Sequence, residues 1–295
     1  MGKNELLKGV ILVALGATSY GMLATFVKLA YGEGFTTAEV TSSQFIYGIL
    51  GTFLITLFNK KSSKGVEKPS EKNKFQLMLA GTSLGMTSVF YYLCVKYIDV
   101  SIAIVLLMQT VWMGVILEWI LDKQRPSNKK IVAVLIVLIG TLLATNVLFS
   151  PTEINPLGIF WGMLAAASFT TTMFTANKIA THVPSATRSL WMLLGGAVIV
   201  FGFSLATQTH AFNFEIFAKW GIFLALFGTI IPPILMNSGF PKTGIGLGSI
   251  VSSLELPVSV TMAFLILNEK IVFKQWIGIF LIIVAIVVMN LPKKQ

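Results

Sequence analysis

The sequence predicts an all-α integral membrane protein of ten transmembrane helices arranged as two inverted five-helix repeats. Three observations lead there: a composition too apolar for water, ten apolar stretches of spanning length, and basic residues collected on alternate connections. Hydrophobic residues make up 55% of the 295 and charged residues 12%, about half the ~25% usual in soluble domains. The mean hydropathy is +0.82. Twelve acids and 22 bases cannot cover a soluble globule of this size, and so apolar a chain is not disordered either.

A spanning helix needs about 20 mostly apolar residues. Ten stretches meet that need: 8–30, 37–58, 75–96, 100–121, 130–149, 156–178, 187–207, 215–236, 246–267 and 272–291. Short connections leave no room for a soluble domain. The longest, Asn59 to Lys74, is rich in lysine and serine and reads as a solvated loop. The first stretch follows Lys3 and Lys8 as a signal peptide would. It is too long for one, carries Lys28 at its far end and shows no small-residue cleavage site, so it reads as a retained span.

Loop charge gives the orientation. One side collects 17 lysines and arginines, from Lys3 and Lys8 through the Asn59–Lys74 loop and Lys123–Lys130 to Lys178, Arg188, Lys242, Lys293 and Lys294. The other collects five: Lys28, Lys96, Lys219, Lys270 and Lys274. Both termini are therefore expected in the cytoplasm and the chain in the cell (inner) membrane. The net charge of +10 is read as a topology signal, with nucleic acid excluded as a partner. One cysteine, Cys94, allows no intrachain disulfide, and His182 and His210 stand in separate connections, so neither metal nor cofactor is expected.

The second half aligns on the first. At an offset of 150, Ala17/Ala167, Thr18/Ser168, Thr25/Thr175, Lys28/Lys178 and Ala30/Ala180 coincide. At 146, Ile104/Ile250, Val105/Val251, Ile120/Ile266 and Leu121/Leu267 do. Residues 1–149 and 150–295 are thus read as two repeats. Five spans in each put the copies in opposite orientations, an arrangement found in alternating-access carriers with a site at the midplane.

The run Tyr91–Ser127, YYLCVKYIDVSIAIVLLMQTVWMGVILEWILDKQRPS, and the run Ser252–Lys270, SSLELPVSVTMAFLILNEK, resemble corresponding segments of the drug/metabolite transporter superfamily, EamA branch. The likeness extends over the chain and its five-plus-five organisation. The first half departs from the pattern in having Gln109-Thr110-Val111 where the family often has proline, and Asp122-Lys123 where it often has Gly-Glu. The resemblance implies a ten-span secondary carrier exporting amino acids or related compounds.

Intramembrane polar groups supply the candidate substrate site. Glu255 lies about eleven residues into the ninth stretch, where a charge is costly and functional by default. Ser252 and Ser259 share its helical face at i−3 and i+4, and Pro257 frees a carbonyl in the preceding turn. The alternative is a carboxyl held for packing. Gln109 is the repeat partner of Glu255, with Trp112 on its face; an interhelical hydrogen bond is the rival reading. Thr18, Thr25 and Lys28 make a stripe on the first stretch, and Ser168, Thr171, Thr175 and Lys178 the matching stripe on the sixth. Tyr91 adds hydroxyl and aromatic surface. Lys28 and Lys178 are expected to snorkel, and Glu118 to snorkel or pair. The uniformly apolar fifth and tenth stretches should stand outside the cavity, facing lipid or a homodimer partner.

Catalytic readings fail. Gly244-Ile245-Gly246-Leu247-Gly248 has no preceding strand and no following lysine, so it is neither a dinucleotide fingerprint nor a phosphate loop. No nucleophile elbow or histidine–carboxylate set appears. The chain reads as a secondary active transporter of small polar or amphipathic metabolites, with a proton as candidate coupling ion. The alternatives are an uptake carrier, a nucleotide-sugar-type exchanger and a passive channel. Phosphate-bearing substrates are disfavoured because only Lys28 and Lys178 could meet them.

Overall fold

The computed structural model describes residues 2–62, 69–98, 100–123, 125–149 and 155–290. Described residues form helices α1 Lys3–Gly32, α2 Thr37–Ser62, α3 Glu71–Tyr97, α4 Val100–Leu107, α5 Thr110–Asp122 and α6 Asn128–Ala144 in the first half. The second half has α7 Pro156–Lys178, α8 Ser185–Thr207, α9 Ile222–Ala225, α10 Ile231–Thr243, α11 Ile245–Ser252, α12 Glu255–Leu267 and α13 Phe273–Asn290. No strand occurs among the described residues. Eight spans among them are long and apolar enough to cross a membrane: α1, α2, α3, α4 with α5, α7, α8, Phe217–Thr243 and α11 with α12. The apolar α13 is shorter, and α6 stops at Ala144, short of the expected 149.

Two expected spans are broken in the middle, at matching places. Between α11 and α12 the cause is Pro257. It has no N–H, so the Ser253 carbonyl takes the Leu256 N–H at 3.2 Å and the chain turns. Between α4 and α5 there is no proline, yet the chain turns in the same way. The Gln109 N–H shifts to the Leu106 carbonyl at 3.0 Å. Its side-chain Nε2 then replaces the missing donor at the Val105 carbonyl, at 2.9 Å. The downstream helices both stop on a left-handed residue, Lys123 and Asn268, each at φ 54°.

The stretch expected at 215–236 runs instead from Phe217 to Thr243. Two π-helical turns, Phe217–Gly221 and Leu226–Ile230, flank α9. Pro232 and Pro233 explain the second. Neither can donate to the preceding turn, and the Phe227 carbonyl accepts instead from Ser19 Oγ at 3.2 Å. Pro241, inside α10, leaves the Asn237 carbonyl without a helical donor, and Arg188 Nη1 supplies one at 2.7 Å.

Most packing runs between the halves of the chain. α1 lies on α10 and α12, α3 on α7 and α8, α2 on α8, α5 on α11, and α6 on α13. Small residues allow the closest of these approaches: Gly81 and Gly85 on α3 face the backbone of Met192 and Gly196 on α8. The α6–α13 pair stands to one side, with Leu135, Ile139, Phe280 and Ile283 exposed on its outer surface.

The connections gather at two ends. At the end holding the N-terminus, Glu5 pairs with Lys242, Lys178 with Asp122 at 3.1 Å, and Glu118 with Lys130. At the opposite end Glu39 closes a capping box with Thr36, its Oε2 accepting the Thr36 N–H at 2.7 Å. Its Oε1 accepts the Asn213 N–H at 2.7 Å, joining the α1–α2 and α8–α9 connections.

Candidate functional site

A cavity of about 360 Å³ lies between the halves, walled by α1, α2, α3, α4, α7, the Leu226–Ile230 turn and α12. Its lining runs from Glu255 and Phe169 at the inner limit to the exposed Lys28–Glu269 ion pair at the mouth. That mouth belongs to the end opposite the N-terminus.

Glu255 opens α12 at the helix break, so the turn that Pro257 imposes aims the acid into the bundle interior. Gly21 makes its position possible. A Cβ there would collide with the Glu255 carbonyl and the Val258 side chain, so α1 can cross α12 only with glycine at the contact. One turn further along α1, Thr25 enters the same cavity. Thr25 Oγ1 and Glu255 Oε2 are both buried and both without a hydrogen-bond partner. Buried polar groups are nearly always paired, so these two oxygens are free to meet a polar ligand.

The opposite wall is built by the π turn. Gly228 lines the cavity, and its carbonyl would be served by Pro232 in α register or Pro233 in π register; neither has an N–H. The Gln44 amide lies against it, close enough that a Cβ at Gly228 would overlap Nε2. Thr229 anchors the turn by donating to the Gln44 carbonyl at 2.9 Å. Tyr31, Tyr92 and Tyr91 form a connected aromatic wall, with ring centroids 6.5 Å apart for Tyr31–Tyr92 and 6.2 Å apart for Tyr91–Tyr92.

Beyond Phe169 packed side chains form a seal that leaves a pocket of about 20 Å³ among Met173, Met236 and Phe240. Val13, Ala17, Met173, Met236, Phe240 and Val251 belong to one buried cluster between the cavity and the end carrying Lys242. Arg188, 1% exposed, ties this seal together. Besides Asn237, its Nη2 reaches the Thr175 carbonyl at 3.0 Å and the Ala176 carbonyl at 2.7 Å, capping the end of α7. Asn177 Nδ2 donates to the Phe240 carbonyl at 2.6 Å.

Of the residues the sequence nominated, Glu255, Ser259, Tyr91 and Thr25 line the cavity. Gln109 and Trp112 are not part of that lining. Trp112 Nε1 donates to Gln109 Oε1 at 2.8 Å, and the indole packs on the cluster containing Val111, Val134 and Val137. Ser252 is buried on the sealed side, its hydroxyl donating to the Gly248 carbonyl at 2.9 Å. Thr171 is exposed on the bundle surface, Thr175 is buried beside Arg188, and Ser168 and Thr18 are half-buried outside the lining. Lys28 and Lys178 are exposed and paired with Glu269 and Asp122. Gln44, Tyr20, Gly228 and Thr229 were missed. The run Thr41-Ser42-Ser43-Gln44, four polar residues inside an apolar stretch, was the available signal for Gln44.

The EamA-like transporter family model matches the chain twice, over residues 7–146 and 156–291. The chain belongs to this family. The chain is similar to the uncharacterized transporter YetK of Bacillus subtilis (strain 168), 26% identical over 241 residues that cover 79% of this chain and 72% of the relative. A protein crystal structure of 14% identity aligns with a TM-score of 0.78 over 97% of both chains, which shows the fold alone. This EamA-family protein is a multi-pass membrane transporter and not an enzyme.

Proposed function

We propose that this EamA-family protein is a secondary active transporter that moves small polar or amphipathic metabolites, amino acids or related compounds, outward across the plasma membrane by alternating access. On this reading ten spans form two inverted five-helix units, 1–149 and 150–295, with the substrate held between them at Glu255. The observation that carries it is the one-ended cavity: open at Lys28 and Glu269, closed beyond Phe169 by packed side chains. A channel would need a continuous path, whereas a carrier in one of two states has this shape.

Several features support the two-unit reading. The matched pairings of α1 with α10 and α7 with α3, the equivalent breaks at Gln109 and Ser253–Leu254, and the double family match all follow if the halves are copies. With both termini cytoplasmic, the cavity faces outward. Glu255, the acid at the inner limit of the cavity, is the candidate proton carrier. The exposed apolar faces of α6 and α13 suit lipid or a second copy of the chain.

The test is substrate counterflow in reconstituted vesicles. A carrier exchanges labelled for unlabelled substrate without net driving force and saturates. Unsaturable flux with measurable conductance would instead identify a channel.

A further inference from the structure

We propose that the cavity selects a protonated primary or secondary amine on an apolar or aromatic body, over the zwitterion or anion built on that same body. This rests on the carrier reading above and narrows its substrate to amines related to amino acids, in preference to the amino acids themselves. The inner cavity is rich in acceptors and poor in positive charge. Glu255 offers a carboxylate with one oxygen buried and unpaired, and Thr25 a hydroxyl in the same condition. Two such oxygens suit a group carrying both positive charge and N–H donors. A quaternary ammonium would leave Thr25 unsatisfied.

A carboxylate on the ligand meets the opposite situation. Among the described lining residues the one cation is Lys28, which stands at the mouth and is already paired with Glu269. The neutral donors deeper in the cavity are the Gln44 amide and the hydroxyls of tyrosine, Thr25 and Ser259, uncharged groups too weak to offset desolvation of a carboxylate beside Glu255. The rest of the lining is apolar, with Phe45, Leu84, Leu107, Met108 and Phe169 placed to cover an aromatic or aliphatic body. The volume falls in the range usual for small-molecule sites, about 300–1,000 Å³.

Three probes with one body separate the charge states: 2-phenylethylamine as cation, phenylalanine as zwitterion and 3-phenylpropionate as anion. Binding of radiolabelled 2-phenylethylamine is measured on the full chain in nanodiscs, with the other two as competitors. The amine should bind at least tenfold more tightly than either competitor. Glu255→Gln should weaken it at least tenfold, and Thr25→Val, which keeps the side-chain shape, about threefold or more. Phenylalanine or 3-phenylpropionate binding as tightly as the amine overturns the proposal, and so does absence of amine binding to monodisperse protein. Unchanged affinity in both variants overturns it too. Counterflow of the same probes keeps the two readings apart. Amine binding without exchange contradicts the carrier and leaves the selectivity standing, while exchange of phenylalanine but not of the amine does the reverse.

Discussion

Arg188 donates to the Asn237 carbonyl at 2.7 Å, the carbonyl that Pro241 strips of its helical partner. Through the same guanidinium it holds the last turn of α7, so one buried side chain joins α7, α8 and α10 at the sealed end of the cavity. A helix interrupted by proline would otherwise leave a bare carbonyl in the bundle. Here that defect is the attachment point of the seal.

Arg188→Leu should therefore lower stability by about 1–3 kcal/mol, since three buried carbonyls lose a charged donor. In protein that still folds, a cysteine placed at Val13, buried in the seal, should react faster with thiol reagents than in the Arg188 background. Thermal unfolding in detergent gives the first quantity and labelling rates the second. Equal labelling rates would separate Arg188 from the seal.

At Gly21 the expected effect is steric. Gly21→Val puts a side chain into the Glu255 carbonyl and Val258, and overpacking of this kind costs about 1–3 kcal/mol. Transport should fall more steeply than stability, because the same shift moves Glu255. A Gly21→Val protein transporting at the normal rate would show that the α1–α12 crossing does not position the acid.

Lys28 and Glu269 are both exposed, and such pairs contribute under about 1 kcal/mol. Single variants Lys28→Gln and Glu269→Gln should leave the unfolding temperature nearly unchanged yet alter transport rate, because both residues line the mouth. The double exchange Lys28→Glu with Glu269→Lys should return the rate toward normal. If the exchange is as defective as the single variants, the pairing itself has no role.

Topology is tested by reporter fusions after Gln295 and within 59–74, segments whose basic residues predict a cytoplasmic location. Both should report cytoplasm. An external signal from either would overturn the ten-span count and the inversion of the halves.

Much of the fold was legible because spanning length and charge leave a strong mark on a sequence. Each of the ten apolar stretches meets a helical segment, and among the described residues eight spans are long and apolar enough to cross a membrane, with boundary shifts such as the extension through Pro241 to Thr243. Helix breaks were half legible. Pro257 announced one, whereas the turn at Gln109 depends on a glutamine side chain replacing its own displaced backbone N–H, which no pattern of polarity reveals. Glu255, which lines the cavity, was legible because an acid in an apolar helix stands out. Apart from Thr25, the serine and threonine stripes lie outside the cavity lining, and there is a physical reason: such hydroxyls can satisfy themselves on the carbonyl four residues back, as Thr171 does on Ala167 at 2.9 Å, and so need no cavity. The π turn at Gly228 left the Pro232-Pro233 pair as its trace in the sequence, while its packing against Gln44 left none.

The central claim is that the space around Glu255 opens to one side of the membrane at a time. Two cysteines flank the acid one helical turn away on either side, Ser259→Cys in the open cavity and Ser252→Cys in the seal, each with Cys94→Ser. Labelling each with an impermeant thiol reagent from either face, with and without a transported compound, measures the alternation directly. The account predicts that Ser259→Cys reacts from the outer face and Ser252→Cys from the cytoplasmic face, with the compound changing the two rates in opposite directions. Reaction of both positions from one face only, at rates no compound alters, would contradict it.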